Sequence, residues 1–143
     1  MKQTFSSEQL NKAEVFRIAP GDTNYFAILF DPKNSRSTNI FVVEIFTVGG
    51  ATPPNTHSDA HEFFYVLAGE GEAESDGDVL KIAKGDALLL DPGSVHVVRN
   101  TGKTKLYTLT VMTPNQDFSE LIRSGERIEL DAEDLQTLTV AAA

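Results

Sequence analysis

PPNTHSDAHEFFYVLAGEG, residues 53–71, decides how the rest of the chain is read. His57 and His61 stand four residues apart, Glu62 follows, and then comes the aromatic and β-branched run Phe63-Phe64-Tyr65-Val66-Leu67. On a helix a spacing of four would stack both rings on one face, as in the H-E-x-x-H metalloprotease pattern. That pattern has its glutamate directly after the first histidine, and here it follows the second. The aromatic run favours a strand, and Pro53-Pro54 ahead of it reads as an extended or turn segment. The pair therefore sits where a loop enters a strand. Alternation then puts Glu62, Phe64 and Val66 on one face and Phe63, Tyr65 and Leu67 on the other.

Working outward, strand-like runs broken by Gly, Pro, Asn and Asp dominate residues 13 to 113: 14–18, 25–30, 39–48, 62–68, 71–75, 79–82, 87–90, 96–99 and 105–112. Many short strands at this spacing indicate a sandwich or barrel. Asp76-Gly77 marks a hairpin tip, because a type I′ turn needs positive φ at both central residues. Helical signals are confined to the ends. Ser6 with Gln9 forms a capping-box pattern opening a short N-terminal turn. Phe118, Leu121 and Ile122 make one apolar stripe with Gly125 as a C′ residue, and a further turn starts at Asp131. Ala141-Ala142-Ala143 is expected to fray.

Composition excludes whole classes of chemistry. The 143 residues fit one domain with a hydrophobic core of its own. With no cysteine there is no thiolate nucleophile or iron–sulfur cluster, so any metal falls to histidine, carboxylate and amide ligands. Twelve basic against 21 acidic residues give a net charge of −9, which opposes nucleic-acid binding. The N-terminus lacks the apolar core of a signal peptide, and no stretch approaches the roughly 18 apolar residues of a membrane span. The expectation is a cytoplasmic protein with neither nucleic-acid nor membrane partners.

The spacing across residues 49–100 resembles the two motifs of the cupin superfamily, of the small single-domain conserved-barrel type. The first runs Gly49, five residues, Asn55-Thr56-His57, four residues, Glu62, six residues, Gly69, with Asn55 where the family has its first histidine. The second runs Gly85, five residues, Asp91-Pro92-Gly93, two residues, His96, three residues, Asn100, with the proline displaced by one place. The resemblance implies an all-β fold, a double-stranded β-helix or jelly-roll barrel with short terminal helices. Its barrel core would span about residues 22–114, with a helical or extended segment at about 115–143.

The resemblance also implies a metal site of His57, Glu62 and His96. Two imidazoles and a carboxylate suit one divalent transition metal, Fe, Mn, Ni, Co or Zn. At Asn55 three roles stay open: ligand, holder of a water, or contact to substrate. His61 could ligate only if the loop bent it inward. Phe64, Val66, Leu89 and Val98 are the expected walls of an apolar pocket, while Asn100 is read as supporting strand and loop geometry. The functional expectation is a metal-binding cupin acting on a small organic molecule by oxygenase-type or isomerase/lyase-type chemistry, with Glu62 able to serve as base as well as ligand. A neutral or phenolic ligand fits the acidic chain better than a polyanion. The competing expectation is a non-catalytic small-ligand-binding or sensing cupin, with or without metal. The outward aromatic row points to a homodimer.

Overall fold

Period-two burial builds the chain into short antiparallel strands, and a computed structural model describes residues 3–140. They are β1 (Val15–Arg17), β2 (Asn24–Phe30), β3 (Ile40–Phe46), β4 (His61–Ala68), β5 (Glu70–Ser75), β6 (Asp78–Ala83), β7 (Ala87–Leu90), β8 (His96–Asn100), β9 (Leu106–Thr113) and β10 (Glu126–Ile128). A seven-stranded sheet in the order β10-β1-β2-β3-β9-β4-β7 packs against a three-stranded sheet in the order β6-β5-β8. Together they form a double-stranded β-helix. The Ala141-Ala142-Ala143 tail lies outside the described residues. No helix among the described residues is long and apolar enough to cross a membrane.

Turn chemistry behaves as the sequence requires. Asp76 and Gly77 have φ of 48° and 90°, and Ser75 pairs with Asp78, giving the expected two-residue hairpin. At Gly69, with φ of 89°, a Cβ would stand 2.6 Å from the Lys105 carbonyl oxygen, so only glycine fits.

Several expectations are corrected. The Ser6–Gln9 pattern opens no helix: residues 3–9 are irregular, and a single 3-10 turn follows at Leu10–Lys12 with no side-chain cap. That segment has one apolar residue to dock, Leu10, too little to hold a helix in place. Gly125 follows helix α1 (Phe118–Arg123) without a left-handed backbone; it permits close approach, since a Cβ there would stand 2.8 Å from Ile18 Cα. The sheet also takes in β1 and β10, both outside residues 22–114, and β10 was too short and polar to read as a strand.

The seven-stranded sheet is covered on both faces, which explains the nearly unbroken burial of β3. On its inner face two apolar clusters form. One joins Phe26, Ile28, Ile40, Val42, Met112 and Ile122; the other joins Phe46, Phe64, Val66, Leu90, Val98 and Leu106. Between them runs a buried polar belt of Asn24, Glu44, Glu62, His96, Thr108 and Thr110.

On the outer face, helix α2 (Ala132–Leu138) starts with a capping box of Asp131 and Asp134. Asp134, 1% exposed, accepts from Tyr25 Oη at 2.7 Å, Tyr107 Oη at 2.8 Å and Lys105 Nζ at 3.0 Å. This clamp closes the C-terminal segment over the sheet. Asp134→Ala takes the acceptor from two buried tyrosine hydroxyls and one of the acceptors from Lys105, which keeps Asp131, and should cost about 3 kcal/mol in chemical denaturation. A change below half of that would show the clamp to be dispensable.

Candidate metal centre

The polar belt opens into a cavity of about 250 Å³ whose walls include Phe26, Phe64, Phe118 and Leu121. His57 comes from the loop before β4, Glu62 from the inward face of β4, and His96 from the start of β8. Two backbone hydrogen bonds between His96 and Asn55, at 2.9 and 3.1 Å, fasten that loop across the barrel to β8. Strand alternation thus delivers Glu62 and His96, and cross-barrel pairing delivers His57.

One ligand-type atom from each of His57, Glu62 and His96 lies within 4.8 Å of the others. Glu62 Oε1 is 2.7 Å from His96 Nε2 and 3.5 Å from His57 Nε2. Burial pushes the Glu62 carboxyl up, but the nearby ring nitrogens of His57 and His96 outweigh it and hold the group below its ordinary value. The residues fit a divalent transition metal. His57 Nε2 and Asn55 Oδ1 are buried without a hydrogen-bond partner among the described residues, so two acceptor-capable atoms are left over at the same pocket. Ligands about 2.1 Å from one ion and at right angles to each other stand about 3 Å apart, close to the spacings around Glu62 Oε1. His96 Nδ1 is buried and unpartnered as well, so packing and the Asn55 pairing orient this ring in place of an acceptor.

The remaining expected site residues separate clearly. His61 is turned outward: its side chain is 45% exposed and its Nε2 is 3.7 Å from Asp91. Asn55 lines the cavity with its amide oxygen free. Of the expected walls, Phe64 lines the cavity, while Val66 and Val98 are buried in the apolar cluster beside it. Leu89 is corrected: it is 58% exposed on the outside of β7, because Leu88 and Leu90 pair with Phe64 and Glu62 and take the inward positions. Asn100 serves the loops as read. Its amide donates to the carbonyls of Phe46, Thr47 and Thr104, and its oxygen accepts from Gly102.

Two features escaped sequence reading. Glu44 is 2% exposed and lines the cavity. Burial, then the charge of Glu62, pushes its carboxyl up to about 8, against smaller downward pulls from Asn24 and Thr110. Its one signal was a single carboxylate on the inward phase of the apolar run FVVEIF. The second is the tether of α1 to the loop that carries His57. Gln116 Oε1 accepts from the amides of Asp59 and Ala60, and its amide donates to Ser58. Arg123 Nε donates to buried Asp31 at 2.8 Å, and Ser119 donates to the same carboxylate. These contacts seat Phe118 against Phe26 and His57.

With this geometry in place, the comparisons with known proteins agree. Residues 42–112 match the family model for the Cupin domain. An oxalate-binding protein of Thermotoga maritima is 34% identical over 64 residues, which cover 45% of this chain and 53% of that protein. The chain spans about half the length of the curated relatives it matches. The crystal structure of a predicted oxalate decarboxylase from the same organism aligns with a TM-score of 0.59 at 28% identity, covering 62% of this chain and 78% of that one. An RmlC-like cupin from Shewanella frigidimarina shares the fold, with a TM-score of 0.66 at 18% identity over 83% of this chain and 99% of the other. The chain belongs to the cupin superfamily.

Two outcomes are expected. His57→Ala should weaken metal binding at least tenfold by isothermal titration while His61→Ala leaves it nearly unchanged, and the reverse pattern would show the wrong histidine to be the ligand. For Glu44, the folded state keeps its proton until about pH 8, whereas the unfolded chain loses it near 4.5. The unfolded state therefore binds fewer protons between those values, and metal-free protein loses stability as pH rises through that window. Glu44→Gln should flatten this slope in denaturation measured from pH 5 to 9. An unchanged slope would assign it to other groups.

Proposed function

We propose that the protein is a metal-dependent cupin acting on a small neutral or phenolic molecule, by oxygenase-type or isomerase/lyase-type chemistry. One observation carries this reading: two imidazoles and a carboxylate converge on a largely apolar cavity that, among the described residues, no lysine or arginine lines. A bound divalent transition metal supplies a Lewis acid with open positions. The chain supplies the rest. Phe26, Phe64 and Phe118 flank an apolar substrate and exclude water. Both histidine contacts fall on Glu62 Oε1, which leaves Oε2 to accept a substrate proton. The Asn55 amide oxygen orients a substrate hydroxyl or a water.

Oxalate, which names the curated relative, would depend on the metal alone in this cavity, because Asp22 and Glu62 line it and, among the described residues, no cationic side chain does. The second reading, a non-catalytic binding or sensing cupin, is favoured by the amide at Asn55, where the motif has an imidazole. Homodimer formation belongs to the same proposal. A cleft of about 720 Å³ lined by β6 and β7 carries the exposed apolar side chains Val79, Leu80 and Leu89.

Native mass spectrometry of protein purified without a metal-affinity tag tests these statements together. The expected species is two chains with one divalent transition metal each, and His96→Ala and Glu62→Gln should lose the metal. A monomer removes only the pairing. Protein that holds no metal and gains no melting temperature from Fe, Mn, Ni, Co or Zn overturns the metal-dependent reading. Metal-loaded protein that binds phenols without consuming them supports the sensing alternative.

A further inference from the structure

Glu44 stands on the inward face of β3 between the two apolar clusters, with its side chain in the cavity that holds the metal ligands. Its Oε2 accepts from Asn24 Nδ2 at 2.9 Å, and its Oε1 lies 3.1 Å from Thr110 Oγ1. A proton count over the neighbouring threonines points to where the proton is. Thr108 Oγ1 is 3.2 Å from the Glu44 carbonyl oxygen, and since a carbonyl only accepts, the Thr108 hydroxyl must donate there. The contact of 2.9 Å between Thr108 Oγ1 and Thr110 Oγ1 then uses the single proton of Thr110. The last contact, Thr110 Oγ1 to Glu44 Oε1, is left to a proton carried by Glu44. Three contacts need three protons, and the two hydroxyls supply two.

Charge balance agrees with the count. The side-chain partners of Glu44 among the described residues are Asn24 and Thr110, both uncharged. An ionised Glu44 would be a buried charge with no cation in hydrogen-bonding reach and with the Glu62 charge nearby.

We propose that Glu44 stands in the cavity as an uncharged carboxylic acid, making with Asn24 a neutral hydrogen-bonding wall that selects a metal-binding molecule bearing an uncharged hydroxyl or carbonyl there over one bearing a carboxylate. An alcohol can donate to the second lone pair of Glu44 Oε2 or accept from the second amide proton of Asn24. A carboxylate placed there would be desolvated without a cation. The selection half rests on the metal-dependent reading above; the charge state of Glu44 does not.

The experiment has two arms. In the first, infrared difference spectra of wild type minus Glu44→Gln, recorded at neutral pH on metal-free and metal-loaded protein, should show the deuterium-sensitive carbonyl stretch of a protonated carboxyl. Glutamine reproduces the acid's donor and acceptor, so this variant should keep its melting temperature. A carboxylate band in place of the carbonyl stretch overturns the proposal whether or not the protein binds metal. In the second arm, 4-(hydroxymethyl)catechol and 3,4-dihydroxybenzoate, which share a chelating head, are titrated into cobalt-loaded protein. The alcohol should bind at least about tenfold more tightly, and Glu44→Gln should keep that preference. Equal affinity, preference for the carboxylate, or binding of neither probe overturns the selection. Loss of metal binding with the protonated band intact would sink the metal-dependent reading and leave the charge assignment standing.

Discussion

Glu62 is a carboxylate buried inside a β-barrel, and the surroundings that keep it charged organise the rest of the site. It is 4% exposed between two apolar clusters, where an unpaired charge would be untenable. His96 at 2.7 Å and His57 at 3.5 Å, both on Oε1, meet that demand. To bring His57 there, the loop before β4 must be fastened to β8, and the Asn55–His96 backbone pair does so. The same loop is held from its other side by Gln116, whose side chain bonds to residues 58–60 just before α1. Chain segments far apart in sequence are thus tied together through one buried charge.

The belt to which Glu62 belongs separates two kinds of side-chain work on one sheet. Above and below it the inward positions of β3, β4 and β9 are apolar and close the barrel, as Val42, Phe46, Phe64, Val66, Leu106 and Met112 show. Within it the inward positions are Glu44, Glu62, Thr108 and Thr110, and the cavity opens at that level. Two carboxyls in one belt cannot both be charged cheaply, and the surroundings divide their roles. Histidine contacts hold Glu62 in its charged form, while burial and the charge of Glu62 push Glu44 toward its neutral form. A candidate metal ligand and a carboxyl pushed toward its neutral form arise in one belt from the same residue type.

The outer face solves a separate problem. A seven-stranded sheet with Val15, Tyr25, Ala27, Val43, Ile45 and Tyr107 on its outward side would expose a broad apolar surface. The C-terminal segment covers it, bringing Leu130 and Leu138 into the same cluster, and buried Asp134 collects the polar ends of Tyr25, Tyr107 and Lys105. The aromatic rings pack while their hydroxyls find an acceptor, so little polar capacity is wasted under the helix.

The sequence by itself determined what depends on local periodicity and fixed spacing. The β-rich pattern, the Asp76-Gly77 hairpin and the inward phase of Glu62, Phe64 and Val66 were legible, because strand alternation and turn conformation are set by neighbouring residues. The trio His57, Glu62 and His96 was legible only through the resemblance of the motif spacing to the cupin family. Only the tertiary structure decided which residues meet across strands. It turned Leu89 outward because the register pairs Leu88 and Leu90 with Phe64 and Glu62. It added β1 and β10 to the sheet, and it placed Glu44 beside Glu62 through β9, which pairs with both β3 and β4. Cross-strand register is fixed by contacts between distant segments, and a reading that moves along the chain sees only one side of each such pair.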